Sequence, residues 1–489
     1  SFYRLIPKIV LNVTDEKEVQ HIMREANRRN LPVTFRAAGT SLSGQAITDS
    51  ILVRLGDGWR SHRIFDGARR ILLGPGVIGS QANILLAGFD RKIGPDPASI
   101  DSAKIGGILA NNASGMCCGV EQNSYQTLDS IRLLMVDGTV VDTADDLSKK
   151  KFSESHGPLL QGLAALRLRV MADEVLRDRI QHKFRIKNTT GYSLNALIDF
   201  EDPFEIMAHL MVGSEGTLAF ISEVVYRTVE EHRHKASALI LYPDMRHGCS
   251  AIPLLQQLPV AAAELMDRAA LRSVEEKEGM PAYLKTLDEG VTALLVETRA
   301  GSAEQLQQQI DEIRQAIVGI ETIRPVEFTD VVEEYGALWK IRKGLFPAVG
   351  AVRRTGTTVI IEDVAFPGTH LADAALDLQG LFQKYGYNEA IIFGHALDGN
   401  LHFVFTQDFS EAKEVIRYQK FMEEVVNLVV DRYDGSLKAE HGTGRNMAPF
   451  VEKEWGEAAY TLMKEIKQLF DPQNLLNPGV ILNEDHEAH

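Results

Sequence analysis

Residues 33–55 read VTFRAAGTSLSGQAITDSILVRL: a short strand rich in β-branched and aromatic residues, a Gly/Ser/Thr run where it ends, and a second apolar strand. Upstream, Ile9 to Val13 predicts a strand and Thr14 an N-cap. Val19, Ile22, Met23 and Ala26 then fall at helical spacing, so the chain opens β-α-β. Gly39 and Gly44 do not form the GxGxxG of a Rossmann turn, and no helical pattern follows at once; nicotinamide dinucleotide binding of that type is disfavoured. Backbone amides in such a loop can converge on a diphosphate, because residues without bulky side chains let the chain approach and add hydroxyl donors.

Two more loop-rich pieces follow. One is IGPDPASIDSAKIGGILANNASGMCCGVEQNSY at 93–125, before a strand pair turning at Asp137-Gly138. The other is LMVGSEGTLAFISEVVYRTV at 210–229. Any one of them could be only a tight turn, but three across ~180 residues suit a long ligand touched repeatedly by backbone, as a flavin dinucleotide is. From 229 to 434 helices alternate with strands such as TALLVET and TTVIIEDVAF, an α/β or α+β pattern with an antiparallel sheet. We expect boundaries at 1–228, 229–434 and 435–489.

At 489 residues, with a hydrophobic fraction of 45% and a charged fraction of 24%, the chain has the composition of a multi-domain globular protein. A net charge of −15 disfavours nucleic acid. Cys117, Cys118 and Cys249 make neither a disulfide framework nor a CxxC site, and suggest a reducing compartment. No apolar run spans a bilayer and no signal peptide pattern is present, so a cytoplasmic protein is expected. Beginning at Ser1 and entering FYRLIPKIVLNV directly, the sequence reads as a trimmed fragment.

The segment AIIFGHALDGNLHFVF at 390–405 predicts a hairpin with His395 and His402 flanking its turn. Paired strands would bring the imidazoles near enough to share a metal, although two histidines can equally be hydrogen-bonded hairpin residues. In KAEHGTGR at 438–445, Glu440 supplies an oxygen ligand and His441 an adjacent imidazole; a buried ion pair is the alternative. Two nitrogens and a carboxylate leave positions open for a chelating substrate. In EEYGALWKIRKGLF, Arg342 offers a fork able to grip a carboxylate, against the plainer reading of a solvated helix residue. Arg353 and Arg354 fit that plainer reading better.

RAAGTSLSGQ, GPDPAS, IGGILANNASG, VGSEGTL, WKIR, GHALDGNLH, EHGTGR and LNPGVI, taken in this order, resemble the flavoproteins of vanillyl-alcohol oxidase (PCMH) type, in particular the D-lactate and D-2-hydroxyglutarate dehydrogenase branch. The likeness runs over essentially the whole chain. It implies an α+β protein: a two-subdomain FAD-binding domain, an α/β cap domain that carries the hairpin, and a C-terminal segment returning to the flavin. It implies that Gly39, Thr40, Ser41 and Gly44, with Arg36, Leu42 and Gln45, hold the FAD pyrophosphate. Pro95, Asp96, Ser99, Gly106, Gly107, Asn112, Ser114, Gly115 and Gly119 would line the flavin and ribityl chain. Gly216 to Ile221 would lie near the adenine, and Asn477 of LNPGVI joins the cofactor set. Thr40 stands where covalently flavinylated relatives have histidine, so non-covalent FAD is implied. His395, His402 and Glu440 would hold zinc or manganese, Arg342 would clamp the substrate carboxylate, and His441 would be the base.

The substrate implied is a small D-2-hydroxy acid. D-2-hydroxyglutarate dehydrogenases carry a lysine in the strand read here as VIIEDVAFP and an asparagine at the position of Val404; lacking both, the chain favours D-lactate unless Arg353 or Arg354 compensates. The likeness is to the flavoprotein part of long bacterial D-lactate dehydrogenases with iron–sulfur segments. The electron acceptor is left open among such a segment, a quinone, a cytochrome and an electron-transfer flavoprotein. A homodimer stays open, as does attachment to the inner face of a bacterial membrane through segments or partners outside this chain.

Overall fold

In the computed structural model, which describes residues 3–485 and Ala488, the chain forms two compact units, Ser1–Glu231 with Lys438–His489, and His232–Leu437. Of the polar ending, His486, Glu487 and His489 lie outside the described residues. No helix among the described residues is long and apolar enough to cross a membrane.

The first unit opens on a parallel three-stranded sheet with Ile51–Leu55 between Ile9–Val13 and Val33–Arg36. Helix Glu16–Arg29 crosses between the outer two and buries Val19, Met23 and Ala26; full burial stabilises by about 1.5–3 kcal/mol for a side chain such as Val19 or Met23. Its N-cap is Asp15, one residue after the expected Thr14. The Asp15 carboxylate accepts from the Glu18 amide at 2.9 Å, while the Glu18 side chain accepts from the Thr14 amide at 2.6 Å. The Thr14 hydroxyl is turned to the same Glu18 carboxylate at 3.2 Å, so the orphan Glu18 amide is capped by Asp15. A second, antiparallel sheet runs in the order His62–Phe65, Arg70–Leu73, Phe220–Glu230, Leu128–Leu134, Val140–Asp142, with Arg91–Ile93 also on Phe220–Glu230. Helix Asp146–Ala172 packs Leu159, Leu160, Leu163 and Leu166 into this unit's core and kinks at His156, just before Pro158.

The second unit is one antiparallel sheet of six strands: His234–Tyr242, Thr292–Ala300, Val260–Met266, Ile391–His395, Asn400–Gln407 and Thr358–Ala365, in spatial order. Helix Val332–Lys343 packs on the sheet through Ile341, among Leu241, Met266, Leu295, Phe393 and Val404.

Candidate functional site

The predicted hairpin forms, and its turn depends on glycine. A Cβ on Gly399 (φ +65°) would lie 2.0 Å from the Phe366 carbonyl oxygen, and one on Gly394 would lie 2.1 Å from that of Asn400. Strand register then sets a row of side chains across four neighbouring strands. Glu264 stands opposite His395, Phe393 opposite His402, and His402 opposite Asp363. Directly opposed residues share a sheet face, so the four polar groups point to one side.

His395 Nε2 and His402 Nε2 are 3.3 Å apart. Behind each ring stands a sealed carboxylate, Glu264 Oε1 at 2.7 Å from His395 Nδ1 and Asp363 Oδ1 at 3.3 Å from His402 Nδ1. Glu264 so placed holds His395 Nδ1 as an N–H donor and turns the Nε2 lone pair of that ring toward His402 Nε2. Two ring-nitrogen lone pairs at this distance would repel unless a proton or a cation lay against them, and the donor chemistry suits a zinc-like ion. Burial by itself would raise the Glu264 carboxyl, but its neighbours His395 and Arg342 and the hydrogen bonds they make hold it down at about 2.

Arg342 reaches this row from helix Val332–Lys343. Its Nε donates to Glu264 Oε2 at 2.6 Å and its guanidinium lies 4.3 Å over the Phe393 ring. The helix is held one turn earlier by Trp339, whose Nε1 donates to Glu297 Oε2 at 2.6 Å. Arg342 is thus a buried, pre-oriented cation rather than a solvated helix residue. Arg353 and Arg354 are engaged elsewhere: Arg353 donates to the Gly350 and Thr357 carbonyls and Arg354 to Asp408.

In the first unit, the 39–47 loop is braced from several sides. Arg36 donates to the Ala46 carbonyl at 2.8 Å, and Arg445 reaches the Ile47 and Pro478 carbonyls. Asn477, buried beneath the loop, donates to the carbonyls of Gln45 and Glu215, both at 2.9 Å. Gly39 and Gly44 have φ of +78° and +83°, a region glycine enters without strain. The Asp96 carboxylate accepts the amides of Cys117 and Cys118, and the Asp96 carbonyl would lie 2.1 Å from a Cβ on Gly115. Pro95 is buried and Ser99 partly so. Gly106 abuts Pro75, Gly107 faces Ala37, and Asn112 and Gly119 have φ of +46° and +51°. Gly216 lies over Phe35, whereas Ile221 is a core residue of its strand. Thr40 is exposed, with Ser41 and Leu42 partly so. The short helix Ile105–Ala110 and the 212–217 loop are tied together by Gly213 and Glu215 amides on the Leu109 and Ala110 carbonyls.

Glu440 and His441 belong to this unit. The His441 carbonyl accepts from Gln45 Nε2 at 2.8 Å and Asn111 Nδ2 at 3.1 Å, joining it to two of the glycine loops. Glu440 Oε2 accepts from Ser114 Oγ at 2.7 Å and Lys187 Nζ at 3.1 Å. The segment KNTTGY at 187–192, passed over in the sequence, laces through 438–443: Thr189 takes the Gly442 amide on its hydroxyl, and Thr443 Oγ1 accepts from the Gly191 amide. Lys187, Glu264 and Asp363 are the other residues the motifs did not single out. The signal for each was a charge inside an otherwise apolar or turn-forming stretch.

Residues 231–481 match the family described as FAD linked oxidases, C-terminal domain, and residues 7–144 match an FAD binding domain. A D-2-hydroxyglutarate dehydrogenase of Pantoea ananatis is 26% identical over 98% of the chain, which spans only 48% of that protein's length. The glycolate oxidase subunit GlcD of Bacillus subtilis is 24% identical over 99% of the chain and 90% of its own length. A D-lactate dehydrogenase of Anaerostipes hadrus is 24% identical over 97% and 89%. Among solved structures, 4-ethylphenol oxidase from Gulosibacter chungangensis aligns with a TM-score of 0.66 at 15% identity, covering 97% of this chain and 88% of that one, a likeness of fold.

Proposed function

As the chain belongs to the FAD-linked oxidases, we propose that it is a metal-assisted flavoprotein dehydrogenase of a short D-2-hydroxy acid, with D-lactate oxidised to pyruvate as the leading case. The observation that carries this reading is the His395–His402 pair, Nε2 to Nε2 at 3.3 Å with a carboxylate behind each ring. Such a pair supports two nitrogen ligands to zinc or manganese; Glu440 is taken as the third ligand and His441 as the base from the resemblance in sequence.

Bound there, a divalent ion would lower the pKa of the substrate hydroxyl while FAD accepts the hydride from carbon. The chain's residues supply the rest. Arg342 binds and orients the substrate carboxylate, with its Nε fixed by Glu264 and its face by Phe393. His441 takes the hydroxyl proton, its backbone steadied by Gln45 and Asn111. The loop at 39–47, braced by Arg36, Arg445 and Asn477, binds the FAD diphosphate without a covalent link.

D-2-hydroxyglutarate is the second reading, supported by the name of the Pantoea relative. Against it, Val404 is buried in the core and Arg353 and Arg354 are tied to Gly350, Thr357 and Asp408. The test is anaerobic mixing of FAD-loaded, zinc- or manganese-reconstituted protein with a panel of hydroxy acids. Flavin colour should bleach with D-lactate, persist with L-lactate, and persist with D-lactate after chelation; bleaching by D-2-hydroxyglutarate alone would transfer the assignment to that acid. Colour that persists with every D-2-hydroxy acid overturns the proposal. His402→Ala should lose metal and turnover and keep FAD.

A further inference from the structure

Glu264 divides its carboxylate between two neighbours of different kinds. Oε1 lies 2.7 Å from His395 Nδ1, and Oε2 accepts from Arg342 Nε at 2.6 Å. The residue is 0% exposed, so no water screens either contact, and one negative charge is shared between an imidazole and a guanidinium. Both contacts are geometrically imposed. The backbone ladder sets Glu264 directly opposite His395. Arg342 is fixed by its helix, anchored through Trp339 to Glu297, and by the Phe393 ring beneath it, two residues before His395 on the same strand.

We propose that Glu264 is a positioning residue that couples metal affinity at His395 to anion affinity at Arg342. A cation on His395 Nε2 makes the Nδ1–H a stronger donor and draws carboxylate charge toward Oε1. Oε2 then neutralises Arg342 less, and the guanidinium grips a carboxylate more strongly. The converse holds: an anion on Arg342 returns charge to Oε1 and makes His395 a better ligand. Linkage requires the two effects to be equal. The inference rests on His395 being a metal ligand, as proposed above, and adds that the substrate's carboxylate and the metal assist each other through a residue that touches neither.

The test measures zinc affinity of the FAD-loaded protein by competition with a chromophoric chelator, with no hydroxy acid present. Glu264→Gln should weaken zinc binding by about 10–100-fold, the range found when a partner behind a ligating histidine is removed. Arg342→Met in the wild-type background should tighten zinc by roughly 3–10-fold, because all the Glu264 charge then faces His395. The same Arg342→Met change added to Glu264→Gln should shift zinc by less than about 2-fold. Equal shifts in both backgrounds overturn the coupling, because they would show Arg342 repelling the ion through space. A second measurement needs no Arg342 variant. Propionate, which has the carboxylate and lacks the hydroxyl, should tighten zinc in wild type and leave it unchanged in Glu264→Gln; equal effects in both overturn the proposal. Zinc binding that is absent, or that survives His395→Ala, instead sinks the metal reading itself.

Discussion

Lys187 Nζ stands 3.1 Å from Glu440 Oε2, with the two side chains only 2% and 9% exposed. The ammonium also donates to the Gly115 carbonyl at 3.0 Å, and the same Glu440 oxygen takes the Ser114 hydroxyl at 2.7 Å. Two charges so far from water are tolerable only together. Lys187→Met should therefore destabilise by about 3–5 kcal/mol, and Lys187→Met combined with Glu440→Gln should recover most of that loss. Thermal unfolding of the two variants, with FAD content as a check on folding, decides it; no recovery in the double variant would show that packing, not the ion pair, is lost.

Glu215 adds a pH dependence of definite sign. Burial pushes its carboxyl up to about 8 from 4.5, against lowering by the amides of Gly444 and Thr443. A carboxyl raised on folding favours the folded state while protonated, so its contribution is complete below about pH 4.5 and disappears as pH rises toward 8. Glu215→Gln keeps an acceptor for Gly444 and removes the charge. It should flatten the stability profile from pH 5 to 8.5 and stabilise at the alkaline end by on the order of 2–4 kcal/mol. A difference from wild type that does not vary with pH would contradict this.

Gly394 sits between Phe393 and His395 in the hairpin. Gly394→Ala puts a methyl group where 2.1 Å separates it from the Asn400 carbonyl and 2.8 Å from Leu401 Cα, both backbone atoms. Strand separation must increase, at a cost of about 3 kcal/mol or more, and the spacing of His395 and His402 changes with it. The variant should lose metal stoichiometry at temperatures where it is still folded and yellow; full metal content would show that the hairpin relaxes without moving the imidazoles.

Trp339 holds the helix that carries Arg342. Trp339→Phe keeps an aromatic side chain, though a smaller one, and removes the N–H that donates to Glu297 Oε2 and Ser237 Oγ. Arg299 still donates to Glu297 at 2.7 Å, so the loss should be modest, about 1–3 kcal/mol. Steady-state kinetics should show KM for the hydroxy acid rising several-fold, with FAD occupancy unchanged. An unaltered KM would mean that Phe393 and Glu264 hold Arg342 unaided.

Local patterns were sufficient for much of this. The β-α-β opening, the turn at Asp137-Gly138 and the hairpin at 390–405 follow from periodicity and turn chemistry, properties of neighbours in sequence. Even there the N-cap moved from Thr14 to Asp15, because a cap depends on which side chain reaches which amide. His395, His402 and Arg342 were recognisable by residue type. Their partners were not: Glu264 and Asp363 became visible only when strand order set them beside the histidines.

The ordered glycine loops, the histidines flanking a turn and the resemblance they carry were determined by sequence alone, since each is a short-range arrangement of residue types. Tertiary structure alone decided that Glu264 joins Arg342 to His395, that Lys187 faces Glu440, and that Asn477 braces the 39–47 loop. These contacts link residues 78, 131, 253 and 432 positions apart. Separations of that size leave no periodic trace, because it is register and packing, not local preference, that bring the groups together.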